Sequence, residues 1–280
     1  MIFVWQVGVT AVIILIVVLY LRGRRRQQTT TRMPLILFLA GLTLLAVALV
    51  SPLHQLAGQY FFARVTQHLL LIAWIPSLIL SSNPLPTLQQ GLPASWQSRW
   101  EARPSLHPKI QQTIHIMTAP GAALLLFASV FWLWYDPILH VLSVQYARIR
   151  PFEIFTLLSA AGLYWWHITG AAPHHHQPMP WVIRIIYVLI GVIIIKLVGL
   201  IVMFSETIIF LYPAPFHMPG LDIDGQRLGG MIFWIIGGSV FITTAIVLFS
   251  RWLAEEENKP SLPESTWASE EAMRAPGWEK

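Results

Sequence analysis

Residues 2–26 read IFVWQVGVTAVIILIVVLYLRGRRR. An apolar run of about 20 residues is the length at which an α-helix crosses the hydrocarbon of a bilayer. The arginines follow this run instead of preceding it, and no small-residue cleavage site comes after it, so the order is the reverse of a secretory signal peptide. The stretch therefore reads as a retained span over 2–21 with its N-terminus outside. Arg22, Arg24, Arg25, Arg26 and Arg32 crowd the connection that follows, and a short loop so rich in arginine is expected on the cytoplasmic side.

Six further apolar stretches follow, at about 34–52, 61–82, 117–135, 151–170, 183–212 and 229–250. Together they predict an all-α polytopic membrane protein, a bundle of seven transmembrane helices over 1–253, with the C-terminus in the cytoplasm. Alternation from the first loop places 13 of the 18 basic residues inside, four (Arg64, Arg148, Arg150 and Arg227) outside, and Lys196 within a span. The longest connection, 83–114, carries Pro, Gln, Ser and Trp and reads as an interfacial segment, with Trp96 and Trp100 at headgroup level. Over 254–280 seven acidic residues outweigh three basic ones, the composition of a solvated, disordered cytoplasmic tail.

Composition agrees with this map. Hydrophobic residues make up 55% and charged residues 11% of the 280, and mean hydropathy is +0.61. Soluble domains are about 25% charged, which excludes a single water-soluble domain. The net charge of +5 sits in short loops beside apolar runs, where it sets topology and gives no case for nucleic acid. With no cysteine, disulfides, thiolate metal sites and cysteine catalysis are excluded. The chain has no phosphate-binding glycine loop, nucleophile elbow or HExxH, and is not expected to be an enzyme.

Polar residues inside spans are the informative ones, because each charge at the bilayer centre costs about 2.5–3.5 kcal/mol or more. Lys196 lies near the middle of the sixth stretch; it either pairs with a carbonyl or acid of the bundle or snorkels, or it meets an anion of a bound group. His68, Glu153 and Glu206 are expected at similar depth near the outer leaflet, below loops that offer His54, His140, His217, Met218, Asp222 and Asp224. Imidazole and thioether donors suit copper, so His68, His54, His140 and His217 are candidate metal ligands, with Glu153, Glu206 and Lys196 as supporting polar groups. The alternative is that these histidines hydrogen-bond neighbouring helices. His174, His175, His176 and Met179 form a tract on the cytoplasmic side that is either a metal-binding run or a polar turn between prolines. Pro76 interrupts the third stretch and should free one backbone carbonyl.

The order of several short motifs carries a resemblance. A span ends Leu49-Val50-Ser51-Pro52-Leu53; then come Ala63-Arg64-Val65-Thr66-Gln67-His68-Leu69-Leu70-Leu71 with Pro76 downstream, Glu153, Leu163-Tyr164-Trp165-Trp166, Leu211-Tyr212-Pro213, and Asp224-Gly225-Gln226-Arg227-Leu228-Gly229-Gly230-Met231-Ile232-Phe233-Trp234. Over about residues 15–250 the chain resembles the polytopic CtaG family of bacterial cytochrome c oxidase assembly factors. The resemblance implies a multi-pass protein of the bacterial plasma membrane that meets cytochrome c oxidase subunits in the lipid bilayer and assists maturation of a haem–copper oxidase, at the stage of copper insertion. Family members carry a His-Met pair at the positions of Arg64 and Val65, and a His pair flanking the glutamate that matches Glu153, where this chain has Arg150 and Ile154. The Asp that precedes the Gln of the last motif is displaced to Asp224, with Gly225 in its place. Of the family's outer-face histidines only His68 is matched, so a copper site here is either lost or rebuilt from His54, His140 or His217. Two other classes stay open: a structural subunit of a respiratory complex, and a small-molecule or ion transporter with Lys196 and Glu206 along its path.

Overall fold

The computed structural model describes residues 2–28, 30–101, 107–221 and 223–259. Arg103, Asp222, the Trp100 side chain and the stretch 260–280 lie outside the described residues. The described chain is helical; its one β feature is an isolated bridge between His217 and Asp224.

Helix α1 (Ile2–Gln27) is followed by α2 (Met33–Leu49) and the one-turn α3 (Pro52–Leu56). Helix α4 (Phe61–Leu69) runs through a π-helical turn, Leu70–Trp74, into α5 (Ile75–Ser81). Three short helices, α6 (Pro84–Gly91), α7 (Ala94–Glu101) and α8 (Pro108–Met117), fill the long connection. Then come α9 (Pro120–Trp134), α10 (Pro137–Gln145), α11 (Ile149–Thr169), α12 (Trp181–Phe204), α13 (Gly225–Ile235) and α14 (Ser239–Glu257). Each apolar stretch of the sequence thus corresponds to one helical run. Among the described residues four runs are long and apolar enough to cross a membrane: α1, α4 to α5, α12, and α13 to α14; the pair α8 and α9, bent by 59°, makes a fifth if it is one span. Helix α2 has only 17 residues, and α11 is diluted by Arg150, Glu153 and His167.

Local chemistry sets the ends. Ser51 and Asp136 cap α3 and α10 through their side-chain oxygens, each with a proline at the first helical position. Asp224 accepts from the amides of Gln226 and Arg227 to start α13. Pro76 has no amide to offer the carbonyl of Ile72, and the indole Nε1 of Trp165 donates to that carbonyl at 2.8 Å. A second freed carbonyl lies at the break between α13 and α14, where Lys196 Nζ donates to Trp234 O at 2.9 Å and lies 4.5 Å from the Trp234 ring centroid. Of the two readings of Lys196, this geometry is the carbonyl-pairing one. Gly23 and Gly91 bring α1 and α6 backbone to backbone: a Cβ on Gly23 would lie 1.8 Å from Thr87 O, and one on Gly91 would lie 1.9 Å from Leu19 O.

The run α4 to α5 is the centre of the bundle. Phe61, Val65, Leu69 and Ile72 pack against Phe127 and Phe131 of α9, Leu157, Tyr164 and Trp165 of α11, Val188 and Ile195 of α12, and Phe233 and Phe241 beyond. By contrast α1 exposes Val4, Val7, Val12, Ile14, Leu15 and Val18, an apolar face suited to lipid.

Two expectations need correction. The sixth stretch, 183–212, stops being helical at Phe204. Its remaining apolar residues are loop: Phe210 is buried, and Gln226 holds the segment by accepting from Ile209 N and Phe210 N and donating to Thr207 O. Burial of a loop on a bundle leaves the same apolar signature as a helix end. Residues 254–257, expected in the tail, are the last turn of α14, which ends at Glu257.

Candidate functional site

Arg64, Gln67 and His68 are spaced i, i+3 and i+4 on α4 and so share one face; all three are buried. Arg150 and Glu153 are spaced i, i+3 on α11 and meet that face. Glu153 Oε2 accepts from Arg64 Nη2 in a fully buried ion pair, and the same nitrogen donates to Ser143 Oγ of α10. Glu153 Oε1 lies 3.2 Å from His68 Nε2 without completing a hydrogen bond. Facing a carboxylate, Nε2 carries the imidazole proton, so Nδ1 accepts from the Tyr135 hydroxyl at 2.8 Å.

The cluster extends in two directions. Gln67 Nε2 donates to Ala48 O and to His54 Nδ1, at 3.1 Å in the second case, while Gln67 Oε1 accepts from Arg150 Nη2 at 3.2 Å. Arg150 Nη2 also donates to the His54 carbonyl. On the other side His140 Nδ1 donates to Trp134 O at 2.9 Å, and Nε2 therefore accepts from the Tyr212 hydroxyl at 2.6 Å. Burial, then the nearby Arg150 and Arg64, holds the His54 imidazole near pKa 4. Burial, then Arg64, lowers His140 to about 3. Both imidazoles are uncharged at neutral pH.

The structure therefore brings His68 and Glu153 together, with His54 and His140 at the margins of the same network. It does not bring in His217, which is exposed in the loop before α13. Glu206 is corrected from a span residue to an exposed loop residue beyond the end of α12, because the helix ends at Phe204. Lys196 is occupied at the α13–α14 break. Sequence reasoning missed the partnership of Arg64 with Glu153 and of Arg150 with Gln67. Their signal was the matching i, i+3 spacing of polar residues on two otherwise apolar helices. Arg64, at a position where family members carry a His-Met pair, is itself the cation beside Glu153.

As a copper sphere the set does not fit. Among the described residues no group of three or more His, Asp or Glu side chains is arranged to hold a metal ion. Both ring nitrogens of His68 and of His140 face protein groups. Copper would have to displace Tyr135 or Glu153 before it met a nitrogen of His68.

A second gathering of imidazoles lies at the opposite ends of α9 and α11. His115 and His176 rings stack at 4.2 Å, and His167 lies 5.4 Å from His176. His167 Nε2 donates to Thr118 O at 2.8 Å, and His176 Nε2 is 2.9 Å from Thr118 Oγ1. His174 and His175 are exposed. The tract after α11 leans on α8 and α11 through His176.

These observations define an all-helical membrane protein with a buried ionic cluster between α4 and α11. Within that class the chain belongs to the cytochrome c oxidase caa3 assembly factor family (Caa3_CtaG), whose pattern matches residues 15–255. It is 23% identical over 236 residues to an uncharacterized protein of Mycobacterium bovis, Mb0105, and likewise to one of Mycobacterium tuberculosis, MT0111. These alignments cover 81% of this chain and 35% of each relative, so the chain spans about a third of the length of the curated relatives it matches. No solved structure matches it.

Proposed function

We propose that this protein is a multi-pass factor of the bacterial plasma membrane that assists assembly of a haem–copper cytochrome c oxidase, meeting oxidase subunits within the bilayer and carrying out no bond chemistry of its own. The observation that carries the reading is the family match over residues 15–255, which takes in every helix from the middle of α1 to α14. In this reading all seven helical runs cross the membrane. Helix α2, at 17 residues, is about 25 Å long, close to the roughly 30 Å of hydrocarbon. Arg150 and Glu153 of α11 face α3 and α4, and His167 faces Thr118, instead of lipid. The arginine-rich connection after α1 then lies in the cytoplasm and the Arg64–Glu153 cluster near the outer surface. The misfit of the histidines to copper favours a scaffold that holds oxidase subunits over a resident metal carrier.

Deletion of the gene followed by measurement of oxidase activity, and of copper per oxidase haem, tests the proposal. Activity and copper should both fall if the factor acts before or at copper insertion. Lost activity with normal copper would move its action to subunit joining, and unchanged activity would reject the role.

A further inference from the structure

Counting charge around the cluster leaves a surplus. Arg64 and Arg150 are two cations, Glu153 is the one carboxylate between them, and the His54 and His140 imidazoles are uncharged at neutral pH. Arg150 gives its Nη2 to neutral acceptors, the His54 carbonyl and Gln67 Oε1. Its Nε is buried with no acceptor. In α1, Trp5 Nε1 is also a buried donor with no acceptor. Both side chains line one cavity of about 190 Å³, together with His54, Ser143 and Ala147. Buried N–H groups are rarely left unpaired, and Arg150, half-buried, is cut off from much of the water that would otherwise solvate its charge. Two orphan donors, one unbalanced positive charge and a cavity coincide at a single place, and no acidic side chain lines it.

We propose that this cavity binds a singly charged oxyanion, held by the Arg150 guanidinium and the Trp5 indole. A guanidinium fork matches phosphate and carboxylate oxygens, and the first turn of α11, where Arg150 sits, adds the favourable end of the helix dipole. Two sources share this chemistry: the phosphodiester of an anionic lipid, whose acyl chains would run along the exposed face of α1, and a small anion from solution. The inference rests on charge and packing alone and stands apart from the assembly role.

Calorimetric titration of the full chain in nonionic detergent tests it with two probes, sodium phosphate and a short-chain phosphatidylglycerol, against the matching phosphatidylcholine. Saturable binding of either anionic probe, weakened at least tenfold in Arg150→Gln, is the expected result. Phosphate binding assigns the solution source; phosphatidylglycerol binding without phosphate or phosphatidylcholine binding assigns the lipid. Ala147→Phe fills the cavity while keeping every charge, and should abolish binding even if Arg150→Gln does not fold. Absence of saturable binding by both probes, or undiminished binding in Ala147→Phe, would overturn the proposal.

Discussion

Imidazoles gather at both ends of α9 and α11, and the two gatherings share little beyond residue type. At the α3–α10 end, His68 and His140 are buried, each ring nitrogen faces a protein group, and an arginine–glutamate pair lies between the helices. At the α8 end, His115, His174 and His175 are exposed, and His176 stacks on His115 with one hydroxyl contact. The histidine-dense tract is therefore the loosely held one, and the site with a single in-span histidine is the ordered one. What distinguishes them is the second helix: a face of α11 supplies Glu153 to one set, whereas a proline-flanked turn supplies the other.

The largest expected effect is at the buried pair. Glu153→Leu leaves Arg64 without its counter-charge and should cost about 3–5 kcal/mol of stability, read from unfolding in detergent. Replacing both partners, Arg64→Met with Glu153→Leu, should recover most of the loss. A cost near that of a solvent-exposed pair, below about 1 kcal/mol, would erase the contrast between the two ends.

Acid should act next, and chiefly at the α3–α10 end. His54 and His140 have pKa values lowered from 6.5 to about 4 and about 3 in the folded protein. Between the folded and unfolded values the unfolded chain binds more protons, so stability rises with pH there. Their contribution is complete above about pH 6.5 and is lost as pH falls toward 4. The melting temperature should follow that course, with a shallower slope in His140→Gln; a flat profile between pH 7 and 4 would contradict the buried, neutral geometry. The smallest effect is expected at the other end, where His176→Ala should shift stability by no more than about 0.5 kcal/mol, as surface substitutions do. A loss of several times that would mean the α8 end is as tightly built as its opposite.

Much of the fold could be read in the sequence because lipid-facing helices announce themselves by length and apolarity. Each of the apolar stretches became a helical run, and the carbonyl freed by Pro76 found a partner in Trp165. The end of the sixth stretch was misread because Ile208 to Tyr212 are apolar for a different reason: Phe210 packs on the bundle as loop. At the site, His68 and Glu153 were both placed near one surface, and the structure sets them 3.2 Å apart. Glu206 fell away with the helix that was thought to carry it. The pairing of Arg64 with Glu153 was hidden because it joins residues 89 positions apart, and nothing local records which face of α11 turns toward α4.

That facing is settled some distance away. The indole of Trp165 fills the rung that Pro76 empties at Ile72, so α11 can neither slide nor roll against the central helix without stranding a carbonyl in a dry interior. Glu153 lies twelve residues up the same rod, about 18 Å along its axis. A defect in one helix thereby acts as a registration mark for its neighbour, and the alignment of the charged cluster is inherited from an aromatic ring that never touches it.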